Sequence, residues 1–212
     1  MERWQDRLTR SLFGSVSRTR SLRGVLVDVV NTRPDVDTEQ VFARLDEALG
    51  IIERHQPWYF RHLVRDFARI AVRRYPCRGA YFPNERTCLI ELTFSVNPAF
   101  TAAQVASTTV HEAMHARLDR RGVVFTREIA ARHERFCRRA EVELGMLVPD
   151  GQAIVERALA SLAATDEEVA PVIDWDLAGR RVAEADIAAL NVPPWIKKTV
   201  ARRAGLDPDA KP

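Results

Sequence analysis

Cysteine is scarce in this chain of 212 residues, and the three present, Cys77, Cys88 and Cys137, form no C-x-x-C pair. An odd, unpatterned set excludes a disulfide framework and makes a reducing cytoplasm the expected setting. Long apolar runs are missing too. The longest candidates, residues 24–30 and the neighbourhood of 129–131, fall far short of a membrane span. The opening Met-Glu-Arg-Trp-Gln-Asp has neither the apolar core nor the small-residue cleavage site of a secretory signal, so none is expected. Charge of one sign is not in large excess. A net +3 is too small to argue for nucleic acid, and no such partner is expected. Repeats and low-complexity blocks are absent.

What remains is ordinary globular composition, 46% hydrophobic and 29% charged, at a length that suits one domain with appendages. The 32 basic residues are almost all arginine, and six of them (Arg3, Arg7, Arg10, Arg18, Arg20, Arg23) crowd residues 1–24 against Glu2 and Asp6. Trp4, Leu8, Leu12 and Val16 make one stripe of an amphipathic helix there. Such a helix packs on the domain, or meets a membrane surface or an acidic partner at its periphery. Residues 15–23 read as a connector.

Residues 24–30 are a short β-branched run expected to be a strand. Thr38 can cap a helix burying Val41, Leu45, Leu49 and Ile52, and Pro57 opens another, expected to run to about Arg74 with Leu63, Val64, Phe67, Ile70 and Ala71 at helical spacing. Residues 79–82, a turn at 83–86 and residues 87–94 read as a hairpin whose second strand buries Cys88, Ile90, Leu92 and Phe94. Thr101 or Asn97 can begin a helix that stops at Gly122, and Thr126 can cap its successor, residues 127–144. Helices are also expected at 152–163, 178–190 and 195–204. The fold class expected is α+β, predominantly helical with a small antiparallel β-hairpin or sheet. Its parts are a basic N-terminal helix and connector (1–24), a core (25–148) and a helical C-terminal extension (149–212).

The centre of the pattern is His111-Glu112-Ala113-Met114-His115. Histidines at i and i+4 lie one above the other on a helix, so both imidazoles can reach one metal ion, and the glutamate after the first can deprotonate a water held there. The chemistry is that of a zinc hydrolase, with Zn2+ as cofactor. Ala103, Ser107, Val110, Met114 and Leu118 form the anchoring stripe, while Gln104, Thr108, His111 and His115 form its neighbour. His55 and His62 have no partner at metal-binding spacing and read as surface or satisfied residues.

A catalytic zinc needs a third protein ligand, and the next helix offers Glu128, His133 and Glu134. From His115 the helix continues about 9 Å to Arg121 at 1.5 Å per residue. Four extended residues after Gly122 return by up to about 13 Å. An antiparallel successor then delivers Glu128 near the level of His115, with Glu134 about 9 Å further on. His133 shares the apolar stripe of Ile129 and Phe136. Glu128 is therefore preferred and Glu134 kept as the alternative.

With these residues in view, the chain resembles the zincin metallopeptidases, and within them the glutamate-ligand class, the gluzincins. The resemblance rests on His111–His115, the small and apolar residues 105–110 before it, and Glu128-Ile129-Ala130-Ala131, which matches the E-x-x-A form of several gluzincin families. It covers roughly residues 79–145, under a third of the chain. It implies a compact zincin-like core and a substrate-pairing edge strand, here expected at residues 87–94. Departures are visible. Leu118 stands where metzincins have glycine, no third histidine follows, Arg132 replaces the aspartate common after E-x-x-A, and the spacing from His115 to Glu134 is closer to that of thermolysin-like enzymes.

The resemblance implies a zinc-dependent peptidase acting on a peptide or protein. His111, His115 and Glu128 would hold the metal, Glu112 would be the general base, and Tyr81, Arg132 or His133 would supply the oxyanion donor. The competing expectation is a non-enzymatic zinc-binding protein for regulation or partner binding.

Overall fold

Residues 17–190 and 192–206 are described by a computed structural model. The amphipathic stripe expected over residues 1–16 lies outside them. Its connector does not: residues 17–22 are strand β1 (Ser17–Leu22), paired antiparallel with β2 (Val25–Val30). The two-residue turn puts Arg23 at φ 48° and Gly24 at φ 83°, the left-handed geometry that matches the twist of a tight hairpin. A side chain at such a φ is disfavoured, and Arg23 offsets this by gripping Asp46 at 3.1 Å and Glu53 at 2.6 Å. Val25, Val27 and Val29 point into the core.

Helices α1 (Thr38–His55) and α2 (Pro57–Asp66) then cross to β3 (Arg69–Arg73), which lies parallel to β2. The helix expected as far as Arg74 therefore ends at Asp66. Ile70 and Val72 alternate buried with half-exposed Ala71, a period of two that a helical count had absorbed. The chain continues through β4 (Gly79–Phe82), a 3-10 turn at 83–85, β5 (Thr87–Glu91) and the short helix α3 (Leu92–Val96). The Glu91 carboxylate ends the strand by accepting the Phe94 N–H at 2.6 Å, capping α3.

Strand order is β1-β2-β3-β5-β4. The sheet is mixed and not antiparallel, because the α1–α2 crossover forces β2 and β3 parallel, and β5 returns parallel to β3. β5 is consequently interior and buried along its whole length, so residues 87–94 are not an edge. The edge beside them is β4, antiparallel to β5.

Against this sheet lies α4 (Ala102–Arg120), started by a reciprocal Thr101–Gln104 capping box. It is buried nearly all round, with Val105, Ala106, Ser107, Thr109 and Val110 inside, as a central helix must be. Gly122, at φ 77°, closes the turn after it. Residues 127–129 form a 3-10 turn, and α5 (Ala130–Gly145) packs back on α4.

Helix α6 (Gln152–Ala163) folds onto α5 and buries Ile154 and Ala158 completely. The reversal needs glycine: a Cβ on Gly151 would stand 1.7 Å from the Gly145 carbonyl oxygen. Residues 152–163 thus pack on the core, with Ile154 part of its buried cluster. Beyond them, α7 (Asp166–Val169), α8 (Trp175–Ala189) and α9 (Pro194–Arg203) are more exposed. Asp186 of α8 anchors to Arg74 at 2.9 Å and Thr32 at 3.3 Å. No helix among the described residues is long and apolar enough to cross a membrane.

Candidate metal centre

The helical spacing of α4 brings His111 and His115 together as the sequence pattern requires, their ring centroids 5.1 Å apart. His111 is buried and His115 partly open. The third group between them is Glu134. Its Oε2 lies 3.2 Å from Nε2 of His111, and its Oε1 lies 3.3 Å from Nε2 of His115. Burial opposes ionisation of that carboxyl, but hydrogen bonds to the two imidazoles and their charge outweigh it and hold its pKa well below the ordinary range.

Glu128, preferred from reach along the chain, is not brought to the histidines. It sits exposed on the 3-10 turn, with its carboxyl pKa lowered by the Thr126 hydroxyl and its own backbone. The reason is where α5 begins. Three residues of 3-10 turn delay it to Ala130, so Glu134, and not Glu128, is the acid on the face turned to α4.

Two turns further along that face, Glu141 supplies what the sequence left without a partner. Its Oε1 accepts from Nδ1 of His111 at 2.7 Å, and Oε2 accepts the Ser107 hydroxyl at 3.0 Å. Arg138 and Arg157 donate to its two oxygens at 2.6 and 2.5 Å. Burial would raise the Glu141 pKa, yet His111 and the two guanidinium groups bring it to about 2. Burial likewise pulls His111 down, but hydrogen bonds to Glu134 and Glu141 push it up to about 10. Fixing Nδ1 in this way turns Nε2 inward, which is how metal-binding imidazoles are usually oriented.

Glu112 is buried on the sheet side of α4. Desolvation raises its pKa, while His111 and His115 oppose the rise. Strand β4 crosses directly over it: a Cβ at Gly79 would lie 2.9 Å from Glu112 Oε1 and 2.7 Å from Thr108 Cγ2. Glycine is what allows the edge strand to pass so close to that carboxylate.

The three candidate oxyanion donors separate cleanly. Tyr81 donates its hydroxyl to Asp119 at 3.1 Å. Arg132 is exposed over the Phe136 ring. His133 is buried against Phe125 and His115, and its Nε2 has no hydrogen-bond partner among the described residues.

Cys137 was not singled out by spacing. One turn from Glu134 on α5, it is fully buried, and its sulfur and one ring nitrogen each of His111 and His115 lie within 4.8 Å of one another. Burial raises its thiol pKa well above the ordinary value. The donor set fits zinc in kind: two imidazole nitrogens, a carboxylate and an adjacent sulfur are all ligands that ion accepts. No family model matches this chain, and no curated protein or solved structure does.

Proposed function

We propose that the chain is a zinc-dependent metallohydrolase acting on peptides, with His111, His115 and Glu134 as metal ligands and Glu112 as general base. The observation that carries this reading is the Glu134 carboxylate spanning both Nε2 atoms, with Glu141 fixing His111 from behind. Bound there, zinc would lower the pKa of a water toward neutrality and polarise the scissile carbonyl.

The protein's own residues do the rest. Glu112 takes the proton of the attacking water and returns it to the leaving nitrogen. Burial raises its pKa above the ordinary carboxylate value, the direction a proton-transferring carboxylate needs. As the edge strand beside Glu112, β4 would pair with an extended substrate, a role expected first of residues 87–94. The half-exposed Phe125 stands next to His115, its ring 5.9 Å away, as an apolar wall for a substrate side chain. His133, its ring 6.4 Å from that of His115, is the residue we assign to the oxyanion. Free cysteines, two of them buried, suit a reducing compartment such as the cytoplasm.

Zinc content and peptide hydrolysis test the reading. Glu112→Gln should keep zinc and lose about 100- to 10,000-fold in turnover. Glu134→Ala should lose zinc while Glu128→Ala keeps both zinc and activity. Full zinc loading of Glu134→Ala would remove Glu134 from the ligand set.

Cys137 favours a second reading, a non-enzymatic zinc protein. If its thiolate joined the other three ligands, the fourth position would be closed, as in structural sites. Cobalt-substituted protein distinguishes the two. A thiolate-to-cobalt charge-transfer band that vanishes in Cys137→Ser, together with no turnover, would establish the closed site.

A further inference from the structure

Glu141 is outnumbered. Arg138 and Arg157 both hold it, and each leaves its Nε buried and without a partner. A third guanidinium, Arg78, lies above the Phe94 and Phe100 rings at 5.4 and 4.4 Å. It has no hydrogen bond or acid in contact among the described residues. Burial lowers the Arg78 pKa, and repulsion from Arg157 and Arg138 adds to it while Glu141 opposes it. Glu141 is already committed to His111 and Ser107 as well as to those two guanidinium groups, which leaves Arg78 without an acid of its own among the described residues.

The position matters as much as the charge. Arg78 immediately precedes Gly79, where β4 passes over Glu112. A substrate strand lying antiparallel to β4 carries the residues on the C-terminal side of the cut past Gly79 toward Arg78. With a strand rise of about 3.3 Å per residue, Arg78 meets it roughly one or two residues beyond the cleaved bond.

We propose that Arg78 forms a carboxylate subsite that selects peptides carrying an anionic group just after the scissile bond. This rests on the peptidase reading above. Guanidinium groups pair with carboxylates through charge-assisted, often forked hydrogen bonds, and the stacked Arg78 is held ready for one. The carboxylate comes either from the C-terminus of a short leaving segment or from an Asp or Glu side chain.

Binding to zinc-loaded Glu112→Gln protein, followed by calorimetry, tests this without turnover. The probes are one peptide as free acid and as C-terminal amide, and amidated peptides with Glu or Gln after the scissile position. The free acid should bind about tenfold tighter than the amide, or the Glu peptide tighter than the Gln peptide, with the gap narrowing in salt. The arm that shows the gap identifies the source. Arg78→Gln in the same background should abolish the gap and leave zinc content unchanged, and Arg78→Lys should restore part of it. Equal affinity for all four peptides, no binding of any, or a gap that survives Arg78→Gln would overturn the subsite. A wild type that cleaves no peptide while the gap persists would overturn the peptidase reading alone.

Discussion

Strands β1 and β4 are both edges of one sheet, yet they meet their surroundings with different chemistry. β1 reads Ser-Arg-Thr-Arg-Ser-Leu, with five of its six residues exposed, and Arg18 and Arg20 both pair with Glu39 on α1. β4 reads Gly-Ala-Tyr-Phe, carries no charge and is half-buried throughout. Unpaired edges invite association with other chains, and charged side chains are a common deterrent. The deterrent stands on the edge far from the histidines and is missing from the edge beside Glu112. The edge left unguarded is the one beside Glu112, in keeping with the substrate pairing proposed for it.

Three variants can break or sharpen that contrast. The largest effect is expected from Gly79→Ala on β4, whose methyl group would press on Glu112 and Thr108. Either the strand or the carboxylate must move, and a displacement near 1 Å costs roughly a hundredfold in turnover. Zinc content should be unchanged, and full activity in this variant would detach β4 from the chemistry. A smaller effect is expected from Tyr81→Phe, which removes the hydroxyl that ties β4 to Asp119 on α4. The loss is about 1 kcal/mol, or roughly 2–4 °C in Tm for a chain of this size, with kcat/KM altered little. The smallest change in stability belongs to β1. Arg18→Val with Arg20→Val should leave Tm within error but make the protein self-associate in sedimentation velocity. A monomer at every concentration would show that the arginines guard nothing.

The site was legible where one helix contained it and illegible where two had to be docked. His111, Glu112 and His115 follow from spacing on a single helix whose cap, Thr101, and whose stop, Gly122, are written in the chain. Glu134 depends on the start of α5, and three residues of 3-10 turn moved that start past the position expected from Thr126. A signal was available. Glu134 and Glu141 are seven apart on the face that also carries Cys137 and Ala140, so acids repeated on a buried stripe could have marked them. β3 failed for another reason. Phe67, Ile70 and Ala71 fit a helical count as well as a strand, and only the parallel pairing with β2 decides between them. Strand order likewise cannot be read from a hairpin pattern, which is why the interior β5 was expected at the edge.

The tight Gly145–Gly151 reversal carries a consequence for anyone wishing to cut or shorten this protein. Met146 and Leu147 are exposed beside it, and the stretch looks like a seam at which the chain could be trimmed. Arg157, however, reaches back across the seam to Glu141, which steers His111. A protease nick at residues 146–150 should therefore be felt first as slower zinc uptake, before any loss of helical signal. Removing everything after residue 148 should cost the metal as well as α6. The apparent tail, as far as residue 157, is part of the grip on the first histidine.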